Sequence, residues 1–452
     1  MKRARIVSIA ALVVAAGVTA MMLVFTNAAH SDASSKTPSQ GLSGVDRKAS
    51  ASEQQDIAVG RQIFRFDTFG DEAFWGDTLR LHQALAGEKN GGVGPGVSPT
   101  TALAVGLKVD AEALPNDLQE QIKAGKIDLD DPATTVALLQ LNAVVGVKGL
   151  FDSSGKLKSM GVTCALCHST VDDSFAPGIG KRLDGWANRD LNIGQIISLA
   201  PNLKPYLDLL GVDEATLKKV LASWGPGRFD ALLDKDGKAF RPDGGQAGTV
   251  LPPAFGLAGV NLHTWTGMGS VPYWNAYVAV TEMHGLGTFF DERLNDATRY
   301  PIAVKAGTWN VRNTPDLVTE KLPALHTYQL SLAAPKPPTG SFDEAAAARG
   351  KQVFSGKAKC ATCHVPPLYT EPGDNLHAPS EIGIDSFQAE RSPTQKYRTA
   401  PLAGLWTHPK PGFYHDGRFA SLREVVEHYN TVKQLALSEQ DKLDLVEFLK
   451  SL

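Results

Sequence analysis

Sulfur is scarce in this chain. Its 452 residues include only four Cys and six Met. Four Cys cannot staple a chain of this length, so a disulfide scaffold is excluded as the main source of stability. An excess of positive charge is also missing. Lys+Arg total 45 against Asp+Glu 48, a formal charge of −3, which excludes a polybasic nucleic-acid binder. Hydrophobic residues make up 43% and charged residues 21%, which excludes a wholly disordered chain. Long apolar runs are missing after the first 25 residues, so the remainder reads as soluble. At about 100–200 residues per domain, the length allows two or three domains.

The one long apolar run is Ile6–Phe25. Lys2, Arg3 and Arg5 precede it, and the small residues Thr26, Ala28 and Ala29 follow. A basic segment, an apolar segment and a small-residue zone form a secretory signal. The run is also long enough to span a membrane once. Residues 1–28 are therefore either a removed signal or a retained anchor. In both cases the basic end stays in the cytoplasm and the rest is exported, which predicts a periplasmic body. The membrane is then touched only through this segment, if it is uncleaved. Residues 29–55 are rich in Ser, Ala, Gln and Asp and lack aromatics, which predicts a flexible linker.

All four Cys fall into two copies of one motif. They are Cys164-Ala-Leu-Cys167-His168 and Cys360-Ala-Thr-Cys363-His364. Cys-x-x-Cys-His is the attachment signature of c-type haem. On a helical turn, residues three and four apart share a face, so both thiols reach the two vinyl groups of one porphyrin. The adjacent imidazole then meets the iron. A zinc site or a redox pair would leave the His and the repetition unexplained. The expectation is two covalently bound haem c groups and no disulfide.

A short repeat precedes each motif. Ala58-Val-Gly60-Arg-Gln-Ile-Phe64 matches Ala348-Arg-Gly350-Lys-Gln-Val-Phe354. Cys360 lies 10 residues after Gly350, whereas Cys164 lies 104 after Gly60, so the first copy carries an insertion of about 94 residues. The insertion includes Phe66, Phe69, Phe74 and Trp75, read as core residues. Pro335, Pro337, Pro338 and Gly340 mark a boundary. The expected architecture is mainly α, with two cytochrome c-type haem domains, 56–335 and 341–452, the first enlarged by the insertion. Ser438–Asp441 starts a final helix whose Leu443, Val446 and Leu449 share a face. Ser421–Glu424 opens another helix, on which Leu422, Val425, Val426 and Tyr429 form a buried face. Asp234-x-Asp236-Gly237 reads as a turn, with a calcium loop as the alternative.

The stretch Tyr397–Trp406, followed by Gly412-Phe-Tyr-His415-Asp-Gly-Arg and Glu427-His428-Tyr429-Asn430, resembles the second haem domain of the bacterial di-haem cytochrome c peroxidase superfamily. That superfamily includes the enzymes that mature methylamine dehydrogenase. The resemblance covers about the last 110 residues. The first domain matches only in order and haem motif. The resemblance implies one haem that relays electrons and one, the N-terminal, that can offer an open iron to peroxide with help from a nearby acid. Glu282 is the candidate acid, with an ordinary surface or helix-capping Glu as the alternative.

Axial ligands set potential and openness of the iron. His168 and His364 are the proximal ligands. The C-terminal domain contains no Met, so its haem takes no Met ligand from its own domain. The resemblance implies a ligand from the helix after Ser421, and Tyr429 stands at that position. A packed Tyr is the alternative, with His428 and His415 as competing ligands. For the first haem, Met268 between Gly267 and Gly269 is the candidate, with Met283, His284 and His263 competing. Met160 precedes its own haem motif and is a poor candidate. The leading function is a periplasmic di-haem electron-transfer cytochrome, whose partner is a small redox protein or a quinol-linked donor or acceptor. The alternatives are a hydrogen peroxide reductase and a haem-based oxidase of a protein or organic substrate.

Overall fold

The computed structural model describes residues 44–408 and 410–452. The expected signal or anchor, 1–28, lies outside the described residues, as does the linker up to residue 43. The first described helix, Gly44–Phe66, reaches back into the stretch read as linker. Residues 49–55 contain neither Pro nor Gly, so nothing in them stops a helix that is anchored further on.

Two helix crossings of the same design hold the framework. Helix Gly44–Phe66 packs on helix Leu322–Ser331. A Cβ at Gly60 would lie 2.0 Å from the Ala324 carbonyl oxygen, so only glycine permits this approach. One turn on, the Phe64 and Tyr328 rings meet edge-on at 5.5 Å. Helix Glu344–Ser355 packs in the same way on the final helix, Glu439–Lys450. A Cβ at Gly350 would lie 2.0 Å from the Asp444 carbonyl oxygen, and Phe354 meets Phe448 at 5.1 Å. Ser438 and Asp441 cap the final helix reciprocally.

Each crossing belongs to its own hydrophobic core. The larger runs from Ile63 and Phe64 through Tyr328. The smaller gathers Phe354, Val426, Leu445, Phe448 and Leu449. The segment between Phe66 and Cys164 is folded into the larger core. It contains a π-helical turn, Ala73–Thr78, several short helices and the hairpin Val147–Phe151/Leu157–Val162. Phe69 and Trp75 are buried there, whereas Phe66 is half-buried under Arg182 and Lys148.

The expectation of a mainly α chain needs correction. Among the described residues, ten short strands form five two-stranded ladders around the helices, so the fold is mixed. Strands of two to six residues are too short to write a period-2 pattern into the sequence. Polar cross-links join the two cores. Arg391 is fully buried and pairs with Asp230 and Asp236. Arg398 donates to the carbonyl oxygens of Leu262 and Thr264, and Arg241 pairs with Asp416. No described helix is long and apolar enough to cross a membrane.

Candidate functional site

The first Cys-x-x-Cys-His turn follows directly from the hairpin. The backbone N–H of Thr163 donates to the Gly146 carbonyl, and the short helix Ala165–His168 starts at Cys164. A side chain at Gly146 would collide with the Leu166 backbone, so the turn lies flat on the hairpin. Cys164, Cys167 and His168 all face one cavity of about 630 Å³. Nδ1 of His168 lies 3.1 Å from the Pro252 carbonyl oxygen. That bond fixes the ring and leaves Nε2 as the free nitrogen toward the cavity.

The residues fit a porphyrin. The cavity wall is mostly apolar, with Leu81, Leu85, Ile193, Ile197, Leu221 and Phe229 among its residues. Burial pushes both thiols up to about 12 and holds His168 down at about 4. Neutral thiols and a neutral imidazole suit thioether formation and axial ligation; they do not suit a thiolate metal site.

The rest of the wall brings together most of the sequence-predicted residues. Met268, Met283, His284, His263, Glu282 and Met160 all line the cavity. Met268 sits in a loop held by the bond from Arg293 to its carbonyl oxygen and by the His263–Gly269 bridge. Nε2 of His263 lies 3.0 Å from the Val260 carbonyl oxygen, so that ring is tied to its own loop. His284 adopts a left-handed backbone conformation, φ +63°, and stacks on Phe74 at 3.6 Å. Burial and the nearby Lys235 hold it down at about 3, so it is neutral. Trp75 donates its indole N–H to the Met283 carbonyl.

Glu282 ends the π-helical turn Val278–Glu282 and is buried, with its side chain 8% exposed. The fully buried Lys235 ammonium lies 3.2 Å from its carboxylate and 2.5 Å from Asp234. The Thr281 hydroxyl donates to the same Glu282 oxygen. Burial first, and then Asp234, pushes the Glu282 carboxyl well above its ordinary range, with Lys235 opposing.

The second turn is more open. Cys360–Thr362 is a single 3₁₀ turn, and Nδ1 of His364 faces the Tyr369 carbonyl oxygen at 3.0 Å, the same restraint as on His168. Burial raises Cys360 to about 11 and lowers His364. Tyr429 lies on helix Leu422–Val432, whose N-cap is Ser421. Glu424 does not complete a reciprocal cap; its carboxylate takes the Ala420 N–H instead. Burial raises the Tyr429 hydroxyl, which faces Tyr414 and feels the thiols of Cys360 and Cys363. Its two rivals are differently placed. Nε2 of His428 is engaged by the Ile382 carbonyl oxygen at 2.9 Å. His415 is buried, stacked on Tyr397, and clustered with Asp385 and Asp416. Arg418 and Arg241 already neutralise those carboxylates.

Sequence reasoning missed Lys235, Arg189 and His408. Lys235 stood inside the stretch read as a turn or calcium loop. Residues Leu233–Asp236 instead form one helical turn, with Asp234 on Lys235 and Asp236 on Arg391. Charge alternation across Asp234-Lys235-Asp236 was the only available signal.

Two Cys-x-x-Cys-His turns with Nδ1-restrained imidazoles, the first on a mostly apolar cavity, carry the residues that c-type haem attachment requires. No protein-family model matches the chain. The methylamine utilization protein MauG of Methylorubrum extorquens is 30% identical over 154 residues, covering 28% of this chain and 42% of that protein. The chain thus spans under half the length of this curated relative. Among solved structures, a MauG-like protein associated with microbial copper homeostasis aligns over 51% of this chain and 78% of its own, at 17% identity and TM-score 0.30. Hydrazine synthase of Kuenenia stuttgartiensis aligns over 31% and 56%, at 22% identity and TM-score 0.21.

Proposed function

We propose that the chain is an exported, periplasmic di-haem c-type cytochrome that moves electrons between two covalent haems and reduces a peroxide at the first. Cys164 and Cys167 hold one haem with His168 as axial ligand, and Cys360 and Cys363 hold the other with His364. The observation that carries this reading is the buried Glu282 carboxyl, held by Lys235 in the wall of the first cavity. Reducing hydrogen peroxide to two waters breaks one O–O bond and takes up two electrons and two protons. The haem iron supplies the redox chemistry when bound. Glu282, protonated near neutral pH, supplies a proton at its carboxyl oxygen as the bond opens. Trp75, Met283 and the apolar wall keep bulk water out. The more open second turn suits electron entry from a small redox protein or a quinol-linked donor.

Electron spin resonance of the oxidised protein, combined with peroxide consumption using a reduced donor, tests the reading. The expected result is one high-spin iron and peroxide-dependent donor oxidation. A second reading, an electron carrier without catalysis, is favoured by the three possible ligands Met268, Met283 and His284 in the cavity wall. Two low-spin irons and no peroxide consumption would establish it instead.

A further inference from the structure

Among the described residues, Arg189 is a buried cation without an anion. Arg189 is 7% exposed, and its Nε, Nη1 and Nη2 all lack a hydrogen-bond partner among the described residues. The charge that acts on it is that of another cation, Arg228, and burial with that repulsion holds it down at about 10. An unpaired buried guanidinium is costly enough that a binding partner is expected at such a place.

The loop that carries it runs along the first haem-attachment turn. Gly185 N–H donates to the His168 carbonyl and Asn188 N–H to the Cys167 carbonyl, each at 2.8 Å. The neighbouring Asp190 cannot serve Arg189, because Lys108 and Lys410 hold it, each at 2.5 Å.

A second loop, from the C-terminal part of the chain, closes over the first. Trp406 meets Trp186 edge-on at 5.3 Å, and Lys410 reaches Asp190. Between these two contacts stands His408, which lines the first cavity. Its Nε2 is buried and also lacks a partner. Burial and the charge of Arg189 hold His408 down at about 3, so it offers a neutral N–H or lone pair. Two orphaned donor side chains, one from each loop, therefore stand in one neighbourhood, where the charge of Arg189 acts on both His408 and His168.

We infer that Arg189 and His408 form a carboxylate pocket for a propionate of the first haem, completed by the turn Leu405–Thr407. This rests on the proposal that Cys164 and Cys167 carry haem. A haem brings two propionates into a cavity whose wall is mostly apolar, and a guanidinium binds a carboxylate with two parallel bonds. Arg189 is thus a positioning residue for the cofactor, and the second half of the chain helps to hold the haem of the first.

The test is a redox titration of the full-length holoprotein, carried out at several pH values after mass analysis has verified both haems. Arg189→Met should shift the first haem's midpoint to lower potential and make it pH-dependent, leaving the second unchanged. Arg189→Lys, which keeps the charge, should restore most of the midpoint. His408→Gln should give a smaller shift in the same haem. Midpoints unchanged in Arg189→Met would overturn the inference. If Arg189→Met fails to accumulate, unchanged midpoints in both Arg189→Lys and His408→Gln would do so. Titrating the wild type with chloride and phosphate separates the sources: a midpoint that follows anion concentration means that an inorganic anion fills the pocket, and also overturns it. A chain without haem at Cys164 and Cys167 would instead refute the underlying reading.

Discussion

The Lys235 ammonium, itself fully buried, lies 3.2 Å from the carboxylate of Glu282, which lines the first cavity. The pair sets two opposing forces on one proton. Burial favours the neutral carboxyl and Lys235 favours the carboxylate; burial dominates.

The pair predicts the pH profile of peroxide reduction. The Glu282 carboxyl, pushed up to about 8, stays protonated at neutral pH, so rate should fall as pH rises through that value. Glu282→Gln should lower the rate by about 10²–10⁴-fold. Lys235→Met removes the cation that favours ionisation, so its alkaline limb should move to higher pH. Steady-state rates between pH 5 and 10 check this; an unmoved limb in Lys235→Met would show that the contact does not govern the proton. The linked stability has the same sign. A raised carboxyl stabilises the fold most below the ordinary carboxylate value, and that contribution is lost as pH rises through the folded value.

Arg391 is the second buried charge on which the architecture depends. Arg391→Met leaves Asp230 and Asp236 buried without their cation and should cost about 3–5 kcal/mol. Burial already holds Asp230 up at about 6 against the pull of Arg391, and losing Arg391 raises it further. The deficit should therefore be smaller at pH 5 than at pH 8, where Asp230 must ionise. Thermal melting of holoprotein and variant at both values measures it. Equal deficits at the two values would contradict this account.

Tyr429 gives a prediction for the second haem. Its hydroxyl faces Tyr414 and feels the thiols of Cys360 and Cys363. An oxygen donor to iron favours the oxidised state. Tyr429→Phe keeps the ring and should raise the potential of the second haem and change its absorption spectrum, with little loss of packing. If neither moves, Tyr429 is a packed residue. His428, bonded to Ile382, is then a weaker replacement ligand than His415.

Local signals in the sequence carried the attachment turns and the helix crossings. Cys-x-x-Cys-His is contiguous, and Gly60 and Gly350 mark close approaches that no other residue allows. Met268, Met283, His284 and Glu282 were legible as candidates because Gly and aromatic neighbours set them apart. Lys235, Arg189 and His408 were not. Each matters through what it meets from a distant part of the chain, and a lone Lys, Arg or His looks the same whether solvated or buried. The ladders were missed for a related reason. Val147–Phe151 and Leu157–Val162 pair through a turn built on Asp152, but the strands elsewhere are only two or three residues long and pair across longer intervening segments.

The most direct test of the central claim is the intact mass of the denatured, exported protein. The account predicts the polypeptide plus two haems, reduced to one in Cys363→Ala, with the haem at Cys164 and Cys167 retained. One haem or none on the wild-type chain would contradict it.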